Sequence, residues 1–401
     1  MAVKKRIFLF VSLFYIFYLI FPLFADILSI PKWLPSVAAS AIMVFLYPKA
    51  FNNKTFFWFL AYVFVLLLYL TLGRPLTIGI GSVADSFKII IESSYILPPV
   101  SMFCILYFLK DLELIKKLVL WSIGILFVSF IVEVPLMRQY DSLRTAYIEE
   151  QQDLQLSIPG LPGYSLMHAY TLFLPLFCYL FKVKKGKIKV LVLLGLLVLC
   201  FVVYETFVTT SLLMMTGILL FTIFYSEKGN TTFFIIYSII VFVFYILYVN
   251  GFFISLIDWI MPAFDGTPVQ DKLNDFKESI MQGQLTGGSI TGRMNHHDIS
   301  INAFLNNPLW GSATAGGHSS ILDRLGGNGL IVTVPFLMVF ISNIRQFLKC
   351  YKSKIAKDFY WACVVLAFVY LYFKGNWGNE SWLVFLTITP MGILVFDKNE
   401  R

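Results

Sequence analysis

The sequence predicts an all-α polytopic membrane protein with about twelve transmembrane helices. Of its 401 residues, 58% are hydrophobic and only 13% are charged, whereas soluble domains carry about a quarter of charged residues. The apolar residues form runs that recur along the whole chain, each close to the roughly 20 residues that cross a bilayer as a helix. Lipid is therefore the expected solvent for most of the chain, and residues 1–401 are predicted to form a single integral membrane domain.

The predicted spans are separated by polar loops and by turn residues such as Gly and Pro. Several are short enough to be tilted or partly re-entrant, so the number twelve is approximate. In chain order they cover residues 7–25, 33–47, 55–73, 88–109, 117–135, 164–181, 190–204, 206–225, 231–250, 326–344, 359–373 and 381–396.

Basic and acidic residues divide between alternate loops. Most of the 31 Lys and Arg residues fall on the side of the N-terminal cluster 4–6, including the run 182–189 and the segment 345–357. Most of the 23 Asp and Glu residues fall on the other side. By the positive-inside rule, both termini are expected in the cytoplasm. The net charge of +8 is thereby explained as a topology signal, and no nucleic-acid partner is expected.

One predicted external loop, residues 251–325, is much longer than the others. It contains His296, His297 and His318, three of the four histidines of the chain. Two short amphipathic helices are predicted in it, from apolar residues at helical spacing. The first carries the stripe Val269, Leu273, Phe276 and Ile280, and the second runs from Thr291 to the residue before Pro308, with Met294, Ile301, Phe304 and Leu305 facing inward.

The spacing within the second helix places two chemically active residues together. Arg293 and His297 are four residues apart, so both positions lie on one helical face. Further along the chain, Gly326, Gly327 and Gly329 are expected to permit a break and close packing where the chain re-enters the membrane. The loop therefore combines a planar cation and several imidazoles at the mouth of a helical bundle.

Residues 289–331 resemble the O-antigen ligase/polymerase superfamily. The resemblance rests on the order Gly292-Arg293, an amphipathic helix, Asn307-Pro-Leu-Trp-Gly311, a Gly-rich gap, and His318 opening the next helical stretch. Weaker support comes from the segment that contains His168, which is similar to the entry of a preceding span in that superfamily. The resemblance implies a polysaccharide polymerase in a bacterial cytoplasmic membrane, with its active loop on the external or periplasmic face.

The implied reaction is a metal-independent glycosyl transfer that needs no cofactor. The donor would be a glycan on polyprenyl pyrophosphate, and the acceptor a sugar hydroxyl on the next lipid-linked repeat unit. Arg293 would neutralise the pyrophosphate, since a planar guanidinium suits paired oxygens. His318 would be the base, because a histidine that follows two glycines and opens a helix is kept neutral by the helix dipole. His296 and His297 would contact substrate.

One departure from the superfamily leaves a question open. A second arginine that members commonly carry at the head of a central span is replaced here by Leu212. If two cations clamp the pyrophosphate, the partner of Arg293 must therefore come from elsewhere. The residues predicted on the outer side that could supply it are Arg74, Lys88, Arg138, Arg144 and Arg324.

Other interpretations are compatible with the same residues. His168 is either a substrate contact or an interhelical hydrogen-bond partner. A ligase that transfers finished glycan would use the same reaction type with a different acceptor, and a lipid-linked oligosaccharide flippase or another transporter would also have about twelve spans. Besides membrane lipid and its lipid-linked donor and acceptor, a polymerase would work with the flippase and chain-length regulator of its pathway. The absence of an Asp-x-Asp pair disfavours a metal-dependent transferase.

The predicted orientation can be tested with reporter fusions. A reporter that is active only outside the cytoplasm should be active when fused at Gly283 and inactive when fused at Lys185, because these positions lie in loops of opposite charge character. A cytoplasmic reporter should give the reverse pattern. The opposite result at either position would contradict the orientation on which the site assignment depends.

Overall fold

Helices make up nearly all of the chain that the structure describes. The computed structural model describes residues 2–73, 76–77, 83–84, 86–138, 159–206, 208–226, 252–266, 269–270, 273–274, 277, 289–312, 314–317, 319–373 and 378–397. The helices are α1 (Ala2–Ile20), α2 (Pro22–Leu28), α3 (Trp33–Leu46), α4 (Lys54–Thr71), α5 (Ser86–Leu109), α6 (Leu112–Met137), α7 (Tyr164–Val183), α8 (Gly186–Glu205), α9 (Thr209–Phe224), α10 (Phe252–Ile260), α11 (Ser289–Asn306), α12 (Leu322–Cys350), α13 (Lys354–Phe373) and α14 (Asn379–Asp397). Short 3₁₀ turns cover Pro48–Phe51 and Met261–Phe264, and β1 (Leu76–Thr77) pairs antiparallel with β2 (Val83–Ala84).

The helices confirm an α-helical, membrane-embedded protein. Among the described residues, seven helices are long and apolar enough to cross a bilayer, or eight if α1 and α2 form one broken span. The predicted span 231–250 lies outside the described residues. Each of the other predicted spans overlaps one helix, except 7–25, which is divided between α1 and α2. Some of these helices, such as α3 and α9, are shorter than a full crossing. Twelve spans therefore stays a prediction.

The first predicted span, 7–25, is interrupted. α1 ends at Ile20, and α2 leaves it at an angle of 96°. Pro22 occupies the first turn of α2, where its missing N–H group is tolerated. The continuous membrane helix therefore stops near Ile20, and α2 turns across the end of the bundle.

Contacts between loops define one end of the bundle, here called the Lys5 end. Lys5 at the start of α1 forms an ion pair with Asp111 at the start of α6, with 2.5 Å between Nζ and Oδ2. Lys4 donates to the carbonyl of Leu46, the last residue of α3. Ser353, between α12 and α13, donates to Asp397 at the end of α14. The start of α1 and the end of α14 thus lie at the same end.

The opposite end, here called the Glu380 end, is held by a second set of contacts. Lys32 Nζ lies 2.8 Å from Oε1 of the buried Glu380 at the start of α14, and this carboxylate raises the pKa of Lys32 above its ordinary value. Asp26 accepts a hydrogen bond of 2.7 Å from the N–H of Gly160, just before α7. These contacts join the ends of α2, α3, α7 and α14 that lie at the Glu380 end.

α14 lies at the centre of the bundle and contains an irregular turn. It is π-helical over Val384–Ile388, a segment that ends two residues before Pro390, and this proline cannot donate a hydrogen bond to the carbonyl of Leu386. Asn343 of α12 donates to that carbonyl instead, at 3.4 Å. The proline therefore opens an acceptor that a neighbouring helix uses, and α12 and α14 are joined inside the apolar core.

α12 is broken at Gly329, which has φ 68° and ψ −170° inside an otherwise helical segment. The break frees the N–H groups of Leu330 and Ile331, and the carbonyls of Pro308 and Leu309 accept hydrogen bonds from them at 2.9 and 3.2 Å. The predicted glycine-dependent break is therefore present. The turn after α11 caps the part of α12 that follows Gly329, and it does so through backbone atoms alone.

α11 begins two residues before the predicted Thr291 and ends before Pro308, as expected. Its inward face differs from the prediction, because Ser300 and Ala303 are the buried residues. Ile301 and Leu305 are exposed, Phe304 is partly buried, and the side chain of Met294 lies outside the described residues. Small residues face inward because they permit close approach of two backbones. The other amphipathic helix, predicted from Val269 to Ile280, lies largely outside the described residues.

The break in α12 gives a direct test of this packing. A Cβ atom on Gly329 would lie 2.4 Å from Leu309 O, and the positive φ disfavours any L side chain by about 1–2 kcal/mol. Gly329→Ala should therefore lower the thermal unfolding midpoint in detergent. Gly217→Ala in α9 is the matched control, since a Cβ there meets nothing within 4 Å and alanine favours a helix. Equal midpoints for Gly329→Ala and the wild type would contradict the described break.

Candidate functional site

The carboxylate of Asp323 organises the Glu380 end of the bundle. It is buried in the first turn of α12 and accepts hydrogen bonds from Ser300 Oγ at 2.7 Å, Gly317 N at 3.2 Å and Ser319 N at 2.9 Å. Ser300 Oγ in turn accepts from Gly316 N at 2.8 Å. The two residues that flank position 318 in the chain are therefore bound to one buried acid.

Two close backbone approaches bring α11 against this segment. A Cβ atom on Gly316 would lie 1.9 Å from the carbonyl oxygen of His296, and one on Gly326 would lie 2.5 Å from the carbonyl oxygen of Ser300. Only glycine permits such contacts. The glycines before His318 and after Arg324 thus fix where α11 crosses the start of α12.

Arg324 is a buried cation beside Asp323. The residue is 7% exposed, its Nη1 donates to Ser320 O at 2.7 Å, and its guanidinium carbon lies 4.1 Å from the ring centroid of Phe336. Among the described residues it has no carboxylate partner, and its Nε has no hydrogen-bond acceptor. A buried guanidinium is costly to leave without a negative partner. The arrangement is suited to binding an anion.

The last turn of α13 links this segment to two of the predicted histidines. The carbonyl of Leu371 accepts hydrogen bonds from Ile321 N at 3.3 Å and from Ser319 Oγ at 3.5 Å. The ring of His297 lies 5.2 Å from that of Tyr372, and the ring of His168 lies 4.4 Å from that of Tyr370. One helical turn therefore contacts α7, α11 and the start of α12.

The predicted site residues differ in how far the structure describes them. His318 lies outside the described residues, and Arg293 is described only as a helical position in α11. His296 and His297 are both partly buried, whereas His168 is buried within the bundle, where the Tyr370 hydroxyl it stacks beside is hydrogen-bonded to Thr171 and Ser211. His297, His168 and Ser319, the residue after His318, all contact the last turn of α13, whereas Arg324 contacts Ser320 and Phe336.

The other candidate cations are less suited to binding substrate. Arg138 is engaged by Glu205 in a two-pronged ion pair, with Nε to Oε2 at 3.1 Å and Nη2 to Oε1 at 2.8 Å. Arg74, Arg144 and the side chain of Lys88 lie outside the described residues. Within the described part of the chain, no three His, Cys, Asp or Glu side chains come together as metal ligands.

An apolar groove runs along the outside of the bundle toward this region. It lies between α3, α4 and α5, has a volume of about 700 Å³, and is lined by residues such as Val44, Leu60 and Leu70. Next to Leu70, the hydroxyl of Tyr69 donates to the carbonyls of Asn328 at 2.9 Å and Trp310 at 3.2 Å. Leu70, which lines the groove, is therefore the sequence neighbour of a residue that contacts α12 beside its break at Gly329.

Sequence reasoning missed several of these residues. Asp323 belongs to Ser320-Ile-Leu-Asp323, a spacing typical of a helix capping box, and that signal could have identified it. In the structure the reciprocal partner is Ser319, whose Oγ accepts from Leu322 N while its own N–H binds Asp323. The roles of Ser300 and of the last turn of α13 have no comparable local signal, because they depend on tertiary packing.

Comparisons of the chain with known proteins give no match, either to a protein family or to a curated protein. The function is therefore inferred from the geometry of the described residues and from the resemblance of a short motif.

The role of Asp323 can be tested by hydrogen exchange. Asp323→Asn keeps the shape but removes the charge and one acceptor, so the segment 316–319 should open more easily by about 1.5–3 kcal/mol. Amide exchange at Gly317 and Ser319, measured by mass spectrometry on the purified protein, should accelerate by about tenfold or more. Asp298→Asn is the matched control, since Asp298 lies on α11 with its side chain exposed. Unchanged exchange in Asp323→Asn would show that this carboxylate does not hold the segment.

Proposed function

We propose that the protein is a metal-independent glycosyltransferase that polymerises lipid-linked oligosaccharide repeat units at the outer face of a bacterial cytoplasmic membrane. It would serve the synthesis of an O-antigen, capsule or exopolysaccharide. The observation that carries the proposal is the buried guanidinium of Arg324, which has no carboxylate partner among the described residues and adjoins the Asp323-bound segment around position 318. A helical membrane bundle with an anion-binding end fits a substrate that is both lipid and anion.

Arg324 is the proposed second cation, in place of the arginine that Leu212 replaces. Transfer from a polyprenyl pyrophosphate leaves two negatively charged phosphates, and planar guanidinium groups bind paired oxygens in two-pronged geometry. Arg324 supplies one cation in a site of low dielectric constant, where its charge acts strongly. Position 293 supplies the other in this proposal. On α11 it lies four residues before His297 and seven before Ser300, on the face that meets α12 and α13.

His318 is the proposed base that takes the proton of the attacking sugar hydroxyl. A histidine that is neutral near pH 7 suits this role. The hydrogen bonds from Gly317 N and Ser319 N to Asp323 support the assignment, because a catalytic group needs a fixed backbone. Asp323 is then a positioning residue and does not itself touch substrate.

The remaining predicted residues fit around this centre. His296 and His297 would contact the sugars from α11, and His168 would act from within the bundle, beside Tyr370. The isoprenoid chain of the donor would lie in the apolar groove between α3 and α4, which ends beside Tyr69. A flippase would deliver the donor, and a chain-length regulator would act on the product.

A deletion strain and single variants test the proposal together. Deletion should leave single repeat units on a surface-polysaccharide ladder gel, while flipping and ligation continue. Arg324→Gln should abolish the ladder, because the pyrophosphate then meets one cation fewer, and Arg324→Lys should reduce it without abolishing it. His318→Ala should abolish the ladder while donor binding is kept. Arg138→Gln is the matched control, since its guanidinium is already paired with Glu205, and should leave the ladder intact.

The same gel separates the alternatives. Repeat units that accumulate only on the cytoplasmic side in the deletion strain would show a transporter. Full-length glycan that stays on its lipid carrier would show a ligase. Western blots of membrane fractions establish that each variant is present. A normal ladder in Arg324→Gln would contradict the pyrophosphate site at this residue.

A further inference from the structure

A pocket at the Lys5 end, opposite the candidate site, has no place in the proposed reaction. It has a volume of about 380 Å³ and lies where the ends of α5, α6, α12 and α14 meet. Its walls are apolar, with buried side chains of Leu106, Ile115, Met391 and Leu394. Three lysines line the same pocket: Lys110, Lys349 and Lys352. The pocket therefore combines an apolar interior with a concentration of positive charge.

Local structure fixes two of these lysines at the pocket. Lys110 forms the link between α5 and α6 and has φ 50°, a backbone conformation that is uncommon for a residue other than glycine. Lys352 is held through its backbone N–H, which donates to Asp397 at 2.7 Å. Both side chains are exposed.

No carboxylate is among the residues that line the pocket. Asp111 is bound by Lys5 and by the N–H of Leu114, and Asp397 is bound by the backbone of residues 352–353 and by Ser353 Oγ. Among the described residues, none of the three pocket lysines forms an ion pair. The pocket therefore presents three ammonium groups without an internal anion.

We propose that this pocket binds the headgroup of an anionic phospholipid. The ends of membrane-spanning helices lie at the level of the lipid phosphates, and basic pockets between such ends bind anionic headgroups. The lysines would hold the phosphate, while Leu106, Met391 and Leu394 would contact the glycerol and the first acyl carbons. A free phosphate shares the charge but has no use for the apolar walls. The site would tie four helices together without taking part in the chemistry at the other end.

Native mass spectrometry of the purified full-length protein tests this assignment. Phosphatidylglycerol and phosphatidylcholine with identical acyl chains are supplied in equal amounts, and the ratio of bound lipids is measured. The wild type should prefer phosphatidylglycerol. Each lysine near the lipid surface contributes about fivefold in affinity, so Lys352→Gln should lower the preference about fivefold. The triple variant Lys110→Gln, Lys349→Gln and Lys352→Gln should abolish it.

A control variant separates a built site from general charge attraction. Lys182→Gln, Lys185→Gln and Lys187→Gln together remove the same charge at the same end of the bundle, and none of these residues lines the pocket. This variant should keep the preference. An equal loss in both triple variants, or no preference in the wild type, would overturn the proposal.

Two further measurements complete the test. Displacement of phosphatidylglycerol by millimolar inorganic phosphate would show a phosphate site and overturn the lipid assignment. Thermal unfolding midpoints in detergent identify any variant that fails to fold, and the single variant Lys352→Gln alters only an exposed side chain. An unchanged lipid preference in a well-folded Lys352→Gln protein would remove that residue from the site and contradict the three-lysine arrangement.

Discussion

The break of α12 at Gly329 is the constraint on which the Glu380 end depends. A continuous helix would keep the N–H groups of Leu330 and Ile331 for itself and would exclude the turn that follows α11. With the break, the carbonyls of Pro308 and Leu309 accept hydrogen bonds from the first N–H groups after Gly329. Backbone hydrogen-bonding groups in an apolar interior must be satisfied, so the turn and the break require each other.

The short first part of α12 gains its position from this arrangement. It carries Asp323 and Arg324 side by side, the first bound by donors of the protein and the second without a carboxylate partner among the described residues. Asp323 accepts hydrogen bonds from three donors, and two of them hold the segment around position 318 in place. Arg324 is stabilised by the ring of Phe336 and by one carbonyl, which leaves most of its donors available. The same turn thus carries one charge that is satisfied within the protein and one that is not.

The sequence predicted the helical membrane class and the positions of most of the described helices, because runs of apolar residues have few alternatives in lipid. It also located the break, since three nearby glycines leave a helix weakly specified. It did not predict α10 or the bend between α1 and α2. It was wrong about the inward face of α11. The apolar residues Ile301 and Leu305 suggested a core stripe, whereas Ser300 and Ala303 are buried because the approach of α12 at Gly326 leaves no room for larger side chains.

The candidate site was only partly predictable for a related reason. Motif spacing singled out Arg293, His297 and His318, which are close in sequence. The contribution of Leu371 comes from a helix some fifty residues away, as the sequence separation of its contact with Ser319 shows. Contacts of this kind follow from tertiary packing, and one sequence contains no local pattern that encodes them. The choice of Arg324 over Arg138 likewise needed the observed pairing of Arg138 with Glu205.

The irregular turn of α14 has a consequence for motion. Asn343 binds the carbonyl of Leu386, Thr387 donates to Pro99 O at 2.9 Å, and Thr389 donates to Leu172 O at 2.8 Å. Sliding α14 by even one residue would leave such buried groups without partners, at about 1–3 kcal/mol for each. α5, α7, α12 and α14 therefore hold one another in a single register and form the rigid part of the bundle. Any movement within the bundle must then be carried by the surrounding helices, such as α11, which exposes the apolar side chains of Ile299, Ile301 and Leu305.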